Sequence, residues 1–222
     1  MEALPFDLQV LNALAALLLL LSFAMLSQRR IVTLVDLLAV QGALLCIATI
    51  LLAWRTGATH LYLSATLTLT LKVIFLPWLL HRLIRRLGVY WDTEPLFNTT
   101  GTMLIGVLVV VFSFGLAQPI AALASTATRN AIGIAVAVVL IAFMTMITRR
   151  KAMSQVVGFL SMENGLFFGA MSATYGMPMI VELGVALDVL VAMLVLGVFF
   201  FQIREQFDSL DLKHLESLKE DQ

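Results

Sequence analysis

The sequence predicts an all-α, polytopic membrane protein of about seven transmembrane helices, with its N-terminus outside and its C-terminus in the cytoplasm. Three observations predict it. Of the 222 residues, 61% are hydrophobic and only 13% are charged, whereas a soluble domain averages about 45–50% apolar and about 25% charged. The mean hydropathy is +1.00. The apolar residues also come in long continuous runs, unlike the short alternating segments of a transmembrane β-barrel.

The spans follow in order, each needing about 20 apolar residues to cross a hydrocarbon core. The first is expected at about 8–27. No basic region precedes it, and it ends in Gln28-Arg29-Arg30 rather than a small-residue cleavage site, so it reads as a retained helix and not a signal peptide. The second, at about 32–54, stops at Arg55-Thr56-Gly57, and the third covers about 60–82. After a polar stretch from Arg85 to Thr100, the fourth is expected at about 101–121. Ser125 to Asn130 separates it from the fifth, at about 130–148. Arg149-Arg150-Lys151 precedes the sixth, at about 154–174, and Tyr175-Gly176-Met177-Pro178 turns into the seventh, at about 179–201. Residues 1–203 thus form one helical bundle, and 204–222 form a cytoplasmic tail. In that tail Leu210, Leu212, Leu215 and Leu218 are spaced for a short amphipathic helix.

Orientation follows from the cations. With the N-terminus outside, Arg29, Arg30, Arg82, Arg85, Arg86, Arg149, Arg150, Lys151, Arg204, Lys213 and Lys219 all fall on the inner side. Only Arg55 and Arg129 fall on the outer side, and Lys72 lies within a span. Cytoplasmic loops carry the excess of Lys and Arg.

The same counts exclude other classes. Lys+Arg 14 against Asp+Glu 14 leaves no basic stripe for a nucleic acid. The single cysteine, Cys46, lies in an apolar run and reads as an inert buried thiol. His60, His81 and His214 lie far apart without ligand spacing, so neither a metal nor a cofactor is expected. No Walker loop, Cys-x-x-Cys or His-Glu-x-x-His pattern occurs, and the chain alone is not expected to be a catalyst.

The informative residues are the ionisable ones within or beside the spans: Asp36, Lys72, Glu163, Glu182 and Asp188. A charge at the bilayer centre costs at least about 2.5–3.5 kcal/mol and so marks a function or a partner. With the last turn centred near Gly176, Glu163 lies 13 residues before it and Asp188 lies 12 after. At the helical rise both carboxyls reach about 18–20 Å below the turn, close to mid-membrane. Two carboxyls at matching depth suit proton exchange through a short water chain, since an apolar setting favours the neutral form that reversible proton uptake requires. The plainer reading is a bond to a neighbouring helix. Glu182, only about 9 Å from the turn, is either an access group or an interfacial side chain. Lys72 sits mid-way along span three in Leu69-Thr70-Leu71-Lys72-Val73-Ile74-Phe75-Leu76-Pro77. A buried lysine needs a partner, and it reads as part of a proton path or as paired with a carboxylate of a neighbouring subunit. Gln41 is expected at about its depth, and Asp36 about two turns nearer the cytoplasm, where simple interfacial solvation is the alternative. Pro77 frees the carbonyl of Val73. Gly165 and Gly169 form a Gly-x-x-x-Gly spacing that permits close helix approach.

Several segments resemble component E of hydrogenase-4. They are Leu71-Lys72-Val73-Ile74-Phe75-Leu76-Pro77, Gly158-Phe159-Leu160-Ser161-Met162-Glu163-Asn164-Gly165, Glu182-Leu183-Gly184-Val185-Ala186-Leu187-Asp188, and the terminal Leu210–Lys219. Residues 154–203 are also similar to the small K subunit of complex I and the C subunit of multisubunit cation/proton antiporters. In those subunits adjacent helices carry carboxylates, with an Asn near the first. Glu163 matches by helix face, three residues from the corresponding position, and Asp188 stands where the second has Glu. The resemblance implies a multi-pass subunit of a prokaryotic inner membrane, coupling redox chemistry elsewhere to proton or sodium movement. Its implied partners are antiporter-like and complex I H-like subunits and the lipid bilayer. Glu163 and Asp188 would be relay carboxyls, Lys72 a further relay or electrostatic gate, Glu182 an access group, and Asp36 a member of the path. The rival expectations are a scaffold that bridges antiporter-like subunits and a free-standing small transporter. Against the last, the spans show no convincing inverted repeat.

Overall fold

A computed structural model describes residues 6–88, 90, 99–123 and 129–174, with isolated positions 184, 190, 193 and 197. The chain divides into two units, Met1–Ala186 and Leu187–Gln222, and the elements named below all lie in the first. They are α1 (Phe6–Ser27), α2 (Ile31–Thr56), α3 (Thr59–Thr68), a π-helical segment (Leu69–Phe75), α4 (Leu76–Leu87), α5 (Thr99–Leu123), α6 (Arg129–Thr148) and α7 (Ala152–Thr174). Every regular element among the described residues is helical.

Among the described residues, six helices are long and apolar enough to cross a membrane: Leu8–Ser27, Ile31–Thr56, Thr59–Arg86, Thr99–Pro119, Asn130–Thr148 and Ala152–Thr174. They match the first six expected spans to within about one helical turn. The seventh, expected at 179–201, and the tail lie outside the described residues, the isolated positions apart.

Helices are what such sequences must form in lipid, because the backbone has no water to bond and satisfies itself along the helix. Several side-chain hydroxyls are satisfied within the helix in the same way. Ser22, Thr49, Thr66, Thr70 and Thr145 each donate to the carbonyl four residues back, at 2.8–3.0 Å. Gly57 ends α2 in the left-handed conformation (φ 67°), its N–H bonded to the Ala53 carbonyl, and Gly88, also left-handed (φ 65°), ends α4. A side chain at either position would be strained there.

The third span departs from regular α geometry where it matters most. Proline has no N–H, so a regular helix through Pro77 would lack one bond. The chain adopts a π segment just upstream, closed where the Leu76 N–H reaches back five residues to the Leu71 carbonyl. That wider turn keeps one buried stripe continuous: Leu61, Ala65, Thr68, Lys72, Leu76, Leu80 and Ile84. Most of its steps are four residues, longer than the 3.6 of a regular helix. Lys72 therefore faces inward together with the leucines.

α2 contacts α1, α3, the π segment, α4 and α7, while α6 contacts α1, α5 and α7. Leu14, Leu18, Leu45, Leu52, Val138, Phe168 and Met171 belong to one apolar core. The seam of α6 and α7 is tight because glycines line it. A Cβ on Gly165 would lie 2.9 Å from Val138 Cγ1, and one on Gly169 would lie 2.9 Å from Ala135 Cβ. The Gly-x-x-x-Gly spacing thus serves an approach within this chain. Leu20, Leu63, Leu104, Leu108, Val111 and Phe112 are exposed, as lipid-facing side chains are. Exposed Trp54 and Tyr62 flank the Gly57 turn, and exposed Trp78 and Tyr90 lie near the opposite end of those helices, the placement of interfacial aromatics.

Candidate functional site

The site is built where α1, α2, the π segment and α7 meet. Lys72 Nζ lies 2.8 Å from Glu163 Oε1 and donates at 3.1 Å to Asn164 Oδ1. Its ammonium also lies 5.3 Å from the centre of the Phe167 ring, a favourable place for a cation over an aromatic face. Both members of the pair are buried, at 4% and 1% exposure. From Asn164 the polar line runs on, as Asn164 Nδ2 donates to Gln41 Oε1 at 3.4 Å and Gln41 Nε2 donates to Ser22 Oγ at 2.9 Å. The Ser22 hydroxyl donates to the Leu18 carbonyl at 3.0 Å. Ser22, Gln41 and Asn164 are all buried.

Each position has a local cause. Glu163 and Asn164 are consecutive on α7, so both accept from the ammonium while the Asn164 amide nitrogen also reaches Gln41 on α2. Gln41 precedes Gly42, whose missing side chain lets the π segment lie against α2. A Cβ on Gly42 would lie 3.1 Å from Lys72 Cβ. Burying two charges is costly, and the cost is met only when geometry and further hydrogen bonds are good. Here the ammonium has a carboxylate, an amide oxygen and an aromatic face, all from α7.

Of the expected site residues, the fold brings Lys72 and Glu163 together. Of the two readings of Lys72, the pairing with a carboxylate of a neighbouring subunit is not what the fold shows: its carboxylate partner is in the same chain, because α7 packs on α2 beside the π segment. Gln41 is at the expected depth and joins the line through Asn164. Asp36 lies elsewhere, with its Oδ1 3.2 Å from His81 Nε2. Glu182 and Asp188 lie outside the described residues.

Three participants were not anticipated. Ser22 looked like any small residue of an apolar run, and only its neighbour across the helix boundary makes it polar in function. His81 was set aside for lack of ligand spacing, yet its ring bridges two elements. Arg149, counted as a loop cation, is buried, and its guanidinium donates to the carbonyls of Leu26 and Gln28, closing the C-terminus of α1. Cys46 is buried, as expected, with its thiol 3.4 Å from the Ala65 carbonyl. Among the described residues, no three His, Cys, Asp or Glu side chains group as metal ligands would.

Fold and site together define a polytopic α-helical membrane protein with an intramembrane lysine–glutamate pair. The chain belongs to the family of the uncharacterized protein Rv0085 of Mycobacterium tuberculosis, with which it is 38% identical over 194 residues, 87% of this chain and 88% of that protein. It is also similar, more distantly, to hydrogenase-4 component E of Escherichia coli and of Shigella flexneri, at 23% identity over 210 residues, 95% of this chain and 97% of theirs. No protein-family model matches the chain, and no solved structure matches it.

Proposed function

We propose that this chain is an accessory membrane subunit of a hydrogenase complex and that Lys72 and Glu163 form its proton-handling pair. The observation that carries the reading is the 2.8 Å contact of two buried ionisable groups within membrane-length helices. Ionisable residues inside spans are rare and mark ion or proton pathways. The distant similarity to hydrogenase-4 component E, running nearly end to end, supports the kind of complex. In this reading the chain lies in the inner membrane with its N-terminus outside, beside antiporter-like and complex I H-like subunits. A proton arriving at Glu163 would weaken its hold on Lys72, and a proton leaving would restore it. Glu182 and Asp188 continue the path, with Asp188 as the second relay carboxyl and Glu182 as an access group. Asp36 belongs to the cytoplasmic side.

A scaffold is the second reading, favoured by the same contact: the ion pair and the Asn164–Gln41–Ser22 line tie α7 to α2 and α1. Amide substitutions separate the two. Glu163→Gln and Asp188→Asn keep shape and most hydrogen bonding but remove the titrating proton. The measurement is substrate-driven proton movement in vesicles, normalised to the amount of intact complex. Strong loss with the complex assembled is the expected result. Wild-type rates in both amide variants would leave only the scaffold.

A further inference from the structure

His81 is held between two acceptors. Its Nδ1 lies 2.8 Å from the Pro77 carbonyl and its Nε2 lies 3.2 Å from Asp36 Oδ1. A neutral imidazole carries one N–H and donates to only one of these, whereas the protonated ring donates to both. A proton taken up therefore supplies the second donor, and the ring then holds both the Pro77 carbonyl of its own helix and the Asp36 carboxylate of α2. We infer that His81 and Asp36 form a proton-loading site at the arginine-rich end of the hairpin that carries Lys72.

The surroundings suit that task. His81 is in the same turn as exposed Arg82 and Arg85, whose charged ends mark the level of headgroups and water. The side chains of His81 and Asp36 are 29% and 61% exposed. The buried Lys72–Glu163 pair lacks that access. Among the described residues, the charged group against the ring is Asp36 from α2; Arg85, on the ring's own helix, donates from Nε to the backbone carbonyl of His81 at 3.3 Å. Arg82, next in sequence, is turned onto the Trp78 ring, 5.4 Å from its centre. The ring thus has one carboxylate as its charged partner, and histidine is the side chain that changes charge between about pH 5 and 8.

The site is also joined mechanically to the buried pair. The carbonyl that the ring grips belongs to Pro77, where the π segment gives way to α4. Lys72 lies nine residues from His81, about 13 Å along the helix. Asp36 lies on the helix that presents Gln41 and Gly42 to the π segment. Loading the ring tightens α2 against the base of the segment that positions Lys72.

This inference rests on the proton-handling reading of Lys72 and Glu163, and its test keeps the two apart. Substrate-driven proton movement is measured between pH 5 and 8 in vesicles holding the intact complex, for wild type, His81→Gln, Asp36→Asn and Glu163→Gln. The expected result is an inflection in the wild-type profile that both His81→Gln and Asp36→Asn remove, while Glu163→Gln is inactive throughout. Wild-type profiles for His81→Gln and Asp36→Asn, with Glu163→Gln inactive, would overturn the loading site and leave the buried relay standing. Wild-type movement in Glu163→Gln would overturn the relay and the loading site with it. Should His81→Gln fail to assemble, His81→Asn takes its place, keeping a donor for the Pro77 carbonyl. Failure of that variant too would make the ring a structural clasp and overturn the inference.

Discussion

Gly42 and Lys72 meet so closely that a methyl group on the glycine would lie 3.1 Å from the lysine Cβ and 3.4 Å from its carbonyl oxygen. A small residue on α2 thereby sets how deep the π segment sits, and with it the reach of the ammonium to Glu163. Gly42→Ala should need a shift of only a few tenths of an ångström and be mild. Gly42→Leu should cost about 1–3 kcal/mol and weaken coupled proton movement in step. Thermal unfolding of the complex in detergent, read beside vesicle assays, checks both.

Removing one half of a buried ion pair leaves the other half exposed to the full cost of burial, about 3–5 kcal/mol in known cases. Lys72→Met should therefore destabilise strongly. Glu163→Gln should do so less, because the amide still accepts from the ammonium. The double variant, Lys72→Met with Glu163→Gln, should be more stable than Lys72→Met alone. A double-mutant cycle on unfolding free energies measures that coupling. Simple addition of the two single effects would mean that the pair is not coupled.

Arg149 closes α1 by donating to the Leu26 and Gln28 carbonyls from a buried position. Arg149→Met should cost about 1–3 kcal/mol by leaving those acceptors without their charged donor. Arg149→Lys should recover part of it, since a lysine offers a point charge in place of a planar fork. Proteolysis at the α1–α2 connection, read as a cutting rate, should rise in the same order.

Two glycines offer an internal contrast. A Cβ on Gly101 meets nothing within 4 Å, whereas one on Gly165 meets Val138 at 2.9 Å and the Val139 backbone nitrogen at 3.2 Å. Gly101→Ala should be neutral or stabilising by up to about 1 kcal/mol, the helix-propensity gain. Gly165→Ala should push α6 from α7 and destabilise. Equal effects at the two sites would show that the α6–α7 seam is not held by its glycines.

The orientation has a direct test. Cys46 is buried, so background labelling should be low. Thr59→Cys, beside the Gly57 turn, should react with a membrane-impermeant thiol reagent applied from outside. Tyr90→Cys, past the arginine-rich end of α4, should not. Labelling at 90 and not at 59 would reverse the assigned topology.

The spans were legible because lipid imposes length and hydropathy on each helix separately, and the limits of α1 and α6 need no knowledge of neighbours. That Lys72 and Glu163 lie within membrane-length helices was legible too. Their pairing was not. It depends on α7 packing against α2, a choice among faces that apolar runs leave almost uniform, and on a π segment that shifts the stripe carrying Lys72. Ser22 and Gln41 illustrate the same limit, because each is an ordinary polar residue until the other helix is placed beside it. His81 was passed over for a different reason: spacing rules for metal ligands do not find a ring whose partners are a carbonyl and one carboxylate.

The polar line through Asn164, Gln41 and Ser22 has one more consequence. All its donors point the same way, from the lysine ammonium down to the Leu18 carbonyl. Two of its links are carboxamides, which hold their hydrogens far too tightly to pass them on. A row of waters in the same place would be a wire, and a wire alongside a buried ion pair would let protons through. Built from amides, the row is an insulator: it transmits orientation from α1 to the ammonium and stops charge from following.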